Sequence, residues 1–168
     1  MGVDNGPIVD KRTFSINHFD NAETLHYKNT LAMCDLVLAN HADLVHQRRQ
    51  LTKQDTSLGE TFYPKRAPDD GAIDWNDDIY NIERLIRAVS PPFFGAFTEN
   101  SKIRLKIYRA NIFYTDIENH PYLTAAHGTV LEVMPNRKFL IKCSGGVLLV
   151  HEYEGKVPSK GTIMESAK

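Results

Sequence analysis

A long polar segment divides this chain of 168 residues and constrains its fold more than any other feature. Across residues 51–74 neither a helical nor a strand period is sustained, and Gly59, Pro64, Pro68 and Gly71 interrupt the segment. Glycine and proline at this density are typical of irregular backbone. We therefore predict a long ordered linker with different structures on its two sides.

The residues before the linker predict one strand and one long helix. Residues 7–16 have the pattern of an extended segment. Asp20 and Glu23 are spaced like a helix-capping pair, and apolar residues then repeat at helical spacing as far as His46. These apolar residues include Tyr27, Leu31, Cys34 and Leu38. An α/β layer needs several parallel strands, so we expect the first 50 residues to be part of a domain.

The residues after the linker predict a short helix followed by a small β structure. Asn76 is the predicted helix cap, Asp77 and Asp78 suit the positive end of the helix dipole, and Pro91 and Pro92 end the helix. Its apolar stripe is predicted to be Ile79, Ile82, Ile86 and Val89. The predicted strands are residues 94–98, 103–110, 128–134, 138–143 and 147–153. About five short strands separated by turns suit a small open barrel.

Composition predicts an ordinary globular protein, with 42% apolar and 24% charged residues. No run approaches the roughly 18 apolar residues of a membrane span, and the N-terminus lacks the layout of a secretory signal. We therefore predict a cytoplasmic protein that does not bind membranes. Cys34 and Cys143 lie in apolar surroundings, so buried, reduced thiols are predicted. No histidine or cysteine spacing matches a metal site, so no metal is predicted.

The charge of the chain is unevenly distributed. Residues 100–168 contain 10 lysine and arginine residues but only 6 aspartate and glutamate residues, although the net charge of the whole chain is −1. This excess could attract a phosphate-bearing partner, or it could belong to the solvated surface of the predicted barrel. Both interpretations stay open.

Three segments resemble the folate-dependent formyltransferases. Residues 62–75, FYPKRAPDDGAIDW, resemble the junction between the two domains of these enzymes. Residues 90–97, SPPFFGAF, look like the family's RA-x-x-PWPGAF turn, with Phe93 where a tryptophan usually stands. Residues 3–9, VDNGPIV, are similar to the family's DTGPII segment, whose aspartate belongs to an Asn-His-Asp catalytic set.

The resemblance implies an α+β chain with three parts. Residues 1–58 would be the incomplete C-terminal part of a formyltransferase catalytic domain, the remnant of a Rossmann-like α/β fold. Residues 59–75 would be the interdomain linker. Residues 76–168 would form the C-terminal domain, a helix followed by a small open OB-like β-barrel.

The resemblance also implies an activity, in which a formyl group passes from N10-formyltetrahydrofolate to a primary amine. Asp4 would be the catalytic carboxylate, hydrogen-bonded to a histidine while the amine attacks the formyl carbon. On local sequence alone, Asp4 in Asp-Asn-Gly is instead a turn residue. None of the seven histidines falls in the family's Asn-x-His pattern. One carboxylate cannot replace a set that acts as a unit, so we expect this chain alone to be inactive.

Residues 62–71 resemble formyltransferases that act on nucleotide-linked amino sugars more closely than methionyl-tRNA enzymes. Arg66 has two interpretations: it binds an anionic part of the substrate, such as a nucleotide phosphate, or it pairs with an acidic residue of the linker. Trp75 is predicted to fill a groove between two domains, because an indole buries a large apolar area.

Three other possibilities stay open. The chain could be a fragment of a methionyl-tRNA formyltransferase, with tRNA as its partner. It could be a non-catalytic binding module derived from the family. It could also complete its site with a complementary N-terminal polypeptide that supplies the missing sheet.

Overall fold

The computed structural model describes residues 6–46, 48, 50–55, 57, 59, 61–114 and 121–166. Contacts between residues divide the chain into two compact units. The first unit contains the described residues of 1–20 and 24–65, and the second contains those of 21–23 and 66–168. The prediction of three parts at 1–58, 59–75 and 76–168 stays a prediction.

Helix α1, Ala22–Val45, confirms the long helix predicted before the linker. The Asp20 carboxylate accepts hydrogen bonds from Thr24 Oγ1 at 3.0 Å and from Lys28 Nζ at 2.7 Å. The extended strand or edge segment predicted at residues 7–16 does not form a ladder, and among the described residues of this segment only Ile8 pairs, in an antiparallel bridge with Thr52. A strand persists only where such pairing continues along a ladder.

Helix α1 exposes most of its apolar side chains. Leu38 is 78% exposed, and Tyr27, Leu31, Met33 and Val37 are also exposed. These residues occupy more than one face of the helix, a pattern typical of helices surrounded by other elements. Cys34 is exposed with them, so the prediction of a buried thiol is wrong at this position. At Cys143 the prediction is confirmed, because this side chain lies in the core of the second unit.

Helix α2, Ile79–Ala88, is the short helix predicted after the linker, but its cap differs from the prediction. Asp78 is the N-cap, and its Oδ1 accepts a hydrogen bond from the Tyr80 amide at 2.8 Å. Asn76, the predicted cap, lies in the preceding turn, where its Nδ2 donates to Asp74 Oδ1 at 3.0 Å. The amide of Asn76 therefore stabilises the turn rather than the helix.

Five antiparallel strands form one open sheet in the second unit, which confirms the five predicted strands. The strands are β1 Ala96–Glu99, β2 Arg104–Tyr114, β3 Val130–Val133, β4 Phe139–Cys143 and β5 Gly146–Glu154. Their order across the sheet is β1-β2-β5-β4-β3. The OB-like barrel and the Rossmann-like remnant stay predictions.

Helix α2 packs on one face of the sheet and forms the main core with it. Ile79, Ile82 and Ile86 are buried there, which confirms three positions of the predicted stripe. Burying one such side chain fully contributes about 1.5–3 kcal/mol. Trp75 lies in the same core, 1% exposed, and its Nε1 donates to Thr98 Oγ1 at 2.9 Å. Trp75 belongs to the second unit, and its indole fills the core of that unit. The prediction that it fills a groove between two domains is therefore wrong.

None of the helices in the described part of the chain is both long enough and apolar enough to cross a membrane.

Candidate binding pocket

The second unit contains a pocket of about 460 Å³. Three segments line it: the chain just before and within the 3₁₀ turn Pro68–Gly71, the C-terminal half of α2, and the turn before β1. The lining residues are Arg66, Ala67, Pro68, Asp70, Gly71, Leu85, Ala88, Val89, Phe93, Phe94 and Gly95. We call residues 66–75 the first wall and residues 93–99 the second wall.

The first wall folds locally around Asp70. Its Oδ2 accepts a hydrogen bond from the Ala67 amide at 2.7 Å, and its own amide donates to the Ala67 carbonyl at 3.0 Å. Pro68 favours this 3₁₀ turn, because its fixed φ suits the first turn of a helix. Gly71 ends the turn, and a Cβ atom there would lie 2.8 Å from the Gly95 carbonyl oxygen. Glycine at position 71 thus permits the two walls to approach closely.

Arg66 lies at the mouth of the pocket. Its Nη1 is 3.8 Å from Asp70 Oδ1, which confirms the predicted pairing with a linker acid. Its side chain is 74% exposed, so solvent screens this pair and its contribution to stability is small. Since 3.8 Å exceeds hydrogen-bonding distance, the guanidinium N–H donors are not bonded to Asp70. They can therefore bind an anion that enters the pocket.

The second wall begins where α2 ends. The Gly95 amide donates to the Val89 carbonyl at 2.8 Å, and the Phe93 amide donates to the Ser90 carbonyl at 3.0 Å. These bonds hold Phe93 and Phe94 beside the pocket with 57% and 66% of their surface exposed. Two accessible aromatic side chains above the apolar end of α2 suit the stacking of a planar group.

Gly95 is fixed by its backbone and by a neighbouring tyrosine. Its φ is +83°, a conformation that favours glycine, and a Cβ atom there would lie 2.6 Å from Tyr108 Cε1. Tyr108 is in turn held by a hydrogen bond from its hydroxyl to Glu154 Oε2 at 2.7 Å. This bond raises the pKa of Tyr108 above its ordinary value, and burial and the charge of Glu154 add to the effect. Tyr108 therefore remains a neutral, fixed support for the second wall.

The family model named "Formyl transferase, C-terminal domain" matches residues 65–165. The chain belongs to this family. The matched residues include every residue that lines the pocket, so the pocket is a feature of the formyl transferase C-terminal domain in this chain.

Curated and solved relatives agree with this assignment. The methionyl-tRNA formyltransferase of Clostridium botulinum (strain Alaska E43 / Type E3) is 29% identical over 157 residues, which cover 92% of this chain. This match covers 47% of the relative, so the chain spans about half the length of that protein.

Two solved structures share the fold. HypX from Aquifex aeolicus in complex with tetrahydrofolic acid matches with a TM-score of 0.67 and 17% identity, over 98% of this chain and 27% of HypX. The N-formyltransferase from Helicobacter canadensis, in complex with folinic acid and dTDP-3-aminofucose, matches with a TM-score of 0.64 and 18% identity. That match covers 91% of this chain and 52% of the other.

Of the two site residues predicted for this formyl transferase domain protein, one lies in the described structure and the other does not. Arg66 lies at the pocket, whereas Asp4 lies outside the described residues. Asp4 as the catalytic carboxylate and Arg66 as a substrate ligand stay predictions. Phe94, Leu85 and Val89 were not predicted as pocket residues. The available signal was the pair of phenylalanines directly after two prolines at a helix end.

Two findings on the described residues concern metal binding and the reactivity of Cys143. Among them, no group of three or more histidine, cysteine, aspartate or glutamate residues is placed to hold a metal ion. Burial raises the pKa of the Cys143 thiol to about 12, so this cysteine stays protonated and is a poor nucleophile. The formyl transferase C-terminal domain thus provides an apolar pocket with an arginine at its mouth.

Proposed function

We propose that this chain is part of a formyltransferase that transfers a formyl group from N10-formyltetrahydrofolate to the primary amine of a nucleotide-linked amino sugar. The observation that supports this proposal is the combination of aromatic side chains, an apolar floor and an arginine in one pocket. The ligands named for the Helicobacter canadensis N-formyltransferase, a folate and a dTDP-linked amino sugar, belong to the same chemical classes.

In this proposal, the pocket binds the nucleotide part of the substrate. Phe93 and Phe94 provide ring faces for the base, and Leu85 and Val89 provide the apolar floor. Arg66 binds the diphosphate, because a planar guanidinium donates two parallel hydrogen bonds to phosphate oxygens. A bound diphosphate replaces the distant Asp70 carboxylate as the partner of Arg66.

The described pocket does not fit the pterin ring of a folate. A pterin has more hydrogen-bonding groups along its edges than the thymine of dTDP, and the only charged side chains among the described residues that line the pocket are those of Arg66 and Asp70. The amides of Phe93 and Gly95 already donate to carbonyls of this chain. Buried polar groups need partners, so the folate would lose hydrogen bonds in this pocket. We therefore propose that the folate binds elsewhere in the complete enzyme.

We infer that catalysis also needs an N-terminal part that complements these residues, supplied either by the same protein or by a complementary polypeptide. In the proposed reaction Asp4 orients a histidine, and that histidine and an asparagine come from the N-terminal part, because none of the histidines in the sequence has the Asn-x-His pattern. The exposed apolar side chains of α1, which include Leu31, Val37 and Leu38, give such a polypeptide a surface to cover. The chain alone should then bind nucleotide without transferring a formyl group.

Binding of dTDP to the full chain tests the proposal by isothermal titration calorimetry. We expect Arg66→Gln to weaken binding by about 10- to 100-fold, the effect of losing a hydrogen-bonded charge pair. Arg84→Gln is the matched control, since Arg84 is an exposed arginine of α2 that does not line the pocket. Equal loss in both variants, or no dTDP binding by the wild type, contradicts the proposal.

Formylation assays distinguish the alternatives. A dTDP-linked amino sugar and methionyl-tRNA are each offered with N10-formyltetrahydrofolate, with and without the complementary polypeptide. The relative from Clostridium botulinum favours the tRNA enzyme as the second candidate. In that case tRNA binding should weaken steeply with salt, because it releases counterions from the RNA. Nucleotide binding without formylation of either substrate would indicate a non-catalytic binding module.

A further inference from the structure

The C-terminal segment of residues 161–166, which we call the strap, does not line the pocket but is hydrogen-bonded to both pocket walls. At its start, the Gly161 amide donates to the Val130 carbonyl at 2.8 Å, and the Val130 amide donates to the Thr162 carbonyl at 2.8 Å. The Met164 amide then donates to the Gly128 carbonyl at 2.9 Å. These bonds and the buried Met164 side chain attach the strap to the β3 side of the sheet.

The end of the strap is bonded to the first wall. Ser166 Oγ donates to Asp74 Oδ1 at 2.8 Å and accepts a hydrogen bond from the Trp75 amide at 3.0 Å. Asp74 and Trp75 directly continue the wall that contains Arg66 and Gly71 at the pocket. The strap is therefore bonded to the distal end of the first wall.

The strap is also bonded to the second wall. The Glu165 amide donates to the Glu99 carbonyl at 2.9 Å, and Thr98 Oγ1 donates to the Glu165 carbonyl at 2.9 Å. Strand β1 joins these residues to Gly95 at the pocket over roughly 13 Å, the rise of four extended residues. The strap thus holds the distal end of each wall.

Thr98 connects the three segments. Its buried hydroxyl donates to the strap and accepts the hydrogen bond from Trp75 Nε1 at 2.9 Å. Closer to the pocket, the Ile73 amide donates to the Phe97 carbonyl at 2.9 Å, so the walls are also bonded to each other. Loss of the Thr98 hydroxyl leaves a buried indole N–H and a carbonyl without this partner.

We propose that the strap is a positioning element, which fixes the spacing of the two pocket walls through Trp75 and Thr98. The proposal rests on the proposed function only for the identity of the ligand, a nucleotide. The hydrogen bonds that set the spacing of the walls are present in the protein without a ligand. Nucleotide binding and the hydrogen bonds of the strap are then coupled in both directions. Loss of the strap's hydrogen bonds weakens nucleotide binding, and bound nucleotide slows the hydrogen exchange of the strap's amides.

The test uses the full chain with Thr98→Val, which keeps the shape of the side chain and removes its hydroxyl. We expect the Ile73 and Gly95 amides to exchange their hydrogens about three- to tenfold faster, the change that corresponds to losing one or two hydrogen bonds. Trp75 is the only tryptophan of the chain, so its fluorescence should also become more accessible to acrylamide. Binding of dTDP should weaken by a similar factor.

Two matched variants make the test specific. Thr98→Ser restores the hydroxyl and should restore wild-type exchange and quenching. Lys160→Gln removes the 2.6 Å bond from Lys160 Nζ to Glu132 Oε2, which lies next to the strap and involves neither wall, and should change nothing at the pocket. If Thr98→Val does not fold, Ser166→Ala removes the bonds to the first wall and the bond from Asn76 Nδ2, leaves the bonds to the second wall, and should still accelerate exchange at Ile73.

Unchanged exchange in Thr98→Val, failure of Thr98→Ser to restore it, or equal acceleration in Lys160→Gln overturns the positioning role. These outcomes do not depend on the ligand. If the wild type does not bind dTDP, the proposed function fails, while the exchange rates still decide whether the strap positions the walls.

Discussion

Asp78 shows how a single side chain can define the start of a helix. Its carboxylate accepts the Tyr80 amide hydrogen bond, and its negative charge lies at the positive end of the dipole of α2. We expect Asp78→Ala to lower the free energy of unfolding of the second unit by about 1 kcal/mol, whereas Asp78→Asn retains most of it because asparagine is also a good cap. Urea denaturation measures both variants, and equal losses would contradict the capping role.

The position of the α2 cap shows which features of single residues could be predicted from the sequence. Asn76, Asp77 and Asp78 are all good capping residues, so the sequence located the start of α2 but did not distinguish among them. The pairing of Arg66 with Asp70 was predictable because it is local, with a spacing of four residues. The exposure of Phe94 beside Arg66 was not, because it depends on how the two walls meet in the folded unit.

At the scale of elements, short apolar runs separated by turns predicted the existence of all five strands, and residues 103–110 did so by alternation. It placed the end of β2 too early, because irregular pairing between β2 and β5, including shifts near Arg109 and Tyr114, interrupts the alternation. The sheet order was not predictable from the same pattern. Strand β5 lies between β2 and β4, and this placement depends on contacts between residues distant in sequence.

The start of α1 should depend on pH through Asp20. Hydrogen bonds hold the pKa of the Asp20 carboxyl below its ordinary value, first the bond from Lys28 and then that from the Asn17 amide. Because the folded pKa is lowered, the stabilisation is present above the ordinary pKa of about 3.9 and is lost as the pH falls through the lower folded value. We expect Lys28→Gln to return the pKa towards its ordinary value in an NMR titration.

Lys53→Gln is the control for this titration, because Lys53 is an exposed lysine of the same unit that is absent from the causes of the Asp20 shift. An unchanged Asp20 pKa in Lys28→Gln would show that the hydrogen bond seen here is not formed in solution.

At the scale of the whole molecule, the two units differ in how well their apolar residues are covered. The second unit buries a continuous core between α2 and the sheet, as expected for a structure that folds independently. In the first unit, α1 is apolar on several faces that the described residues leave exposed. The sequence predicted this imbalance, because one helix without several parallel strands cannot complete an α/β layer.

The exposed side chains of α1 should make the isolated chain self-associate. Their burial is favoured by about 25 cal/mol for each Å² of apolar surface, and several large side chains of α1 buried together oppose the entropy that association costs. We expect Leu31→Gln combined with Leu38→Gln to reduce the apparent mass in analytical ultracentrifugation. The emission of Trp75 should stay unchanged, because this residue belongs to the core of the second unit. Asn29→Gln, an exposed polar substitution on the same helix, is the control. A monomeric wild type at tens of micromolar would mean that α1 needs no cover, and the case for a complementary N-terminal polypeptide would then lose its structural support.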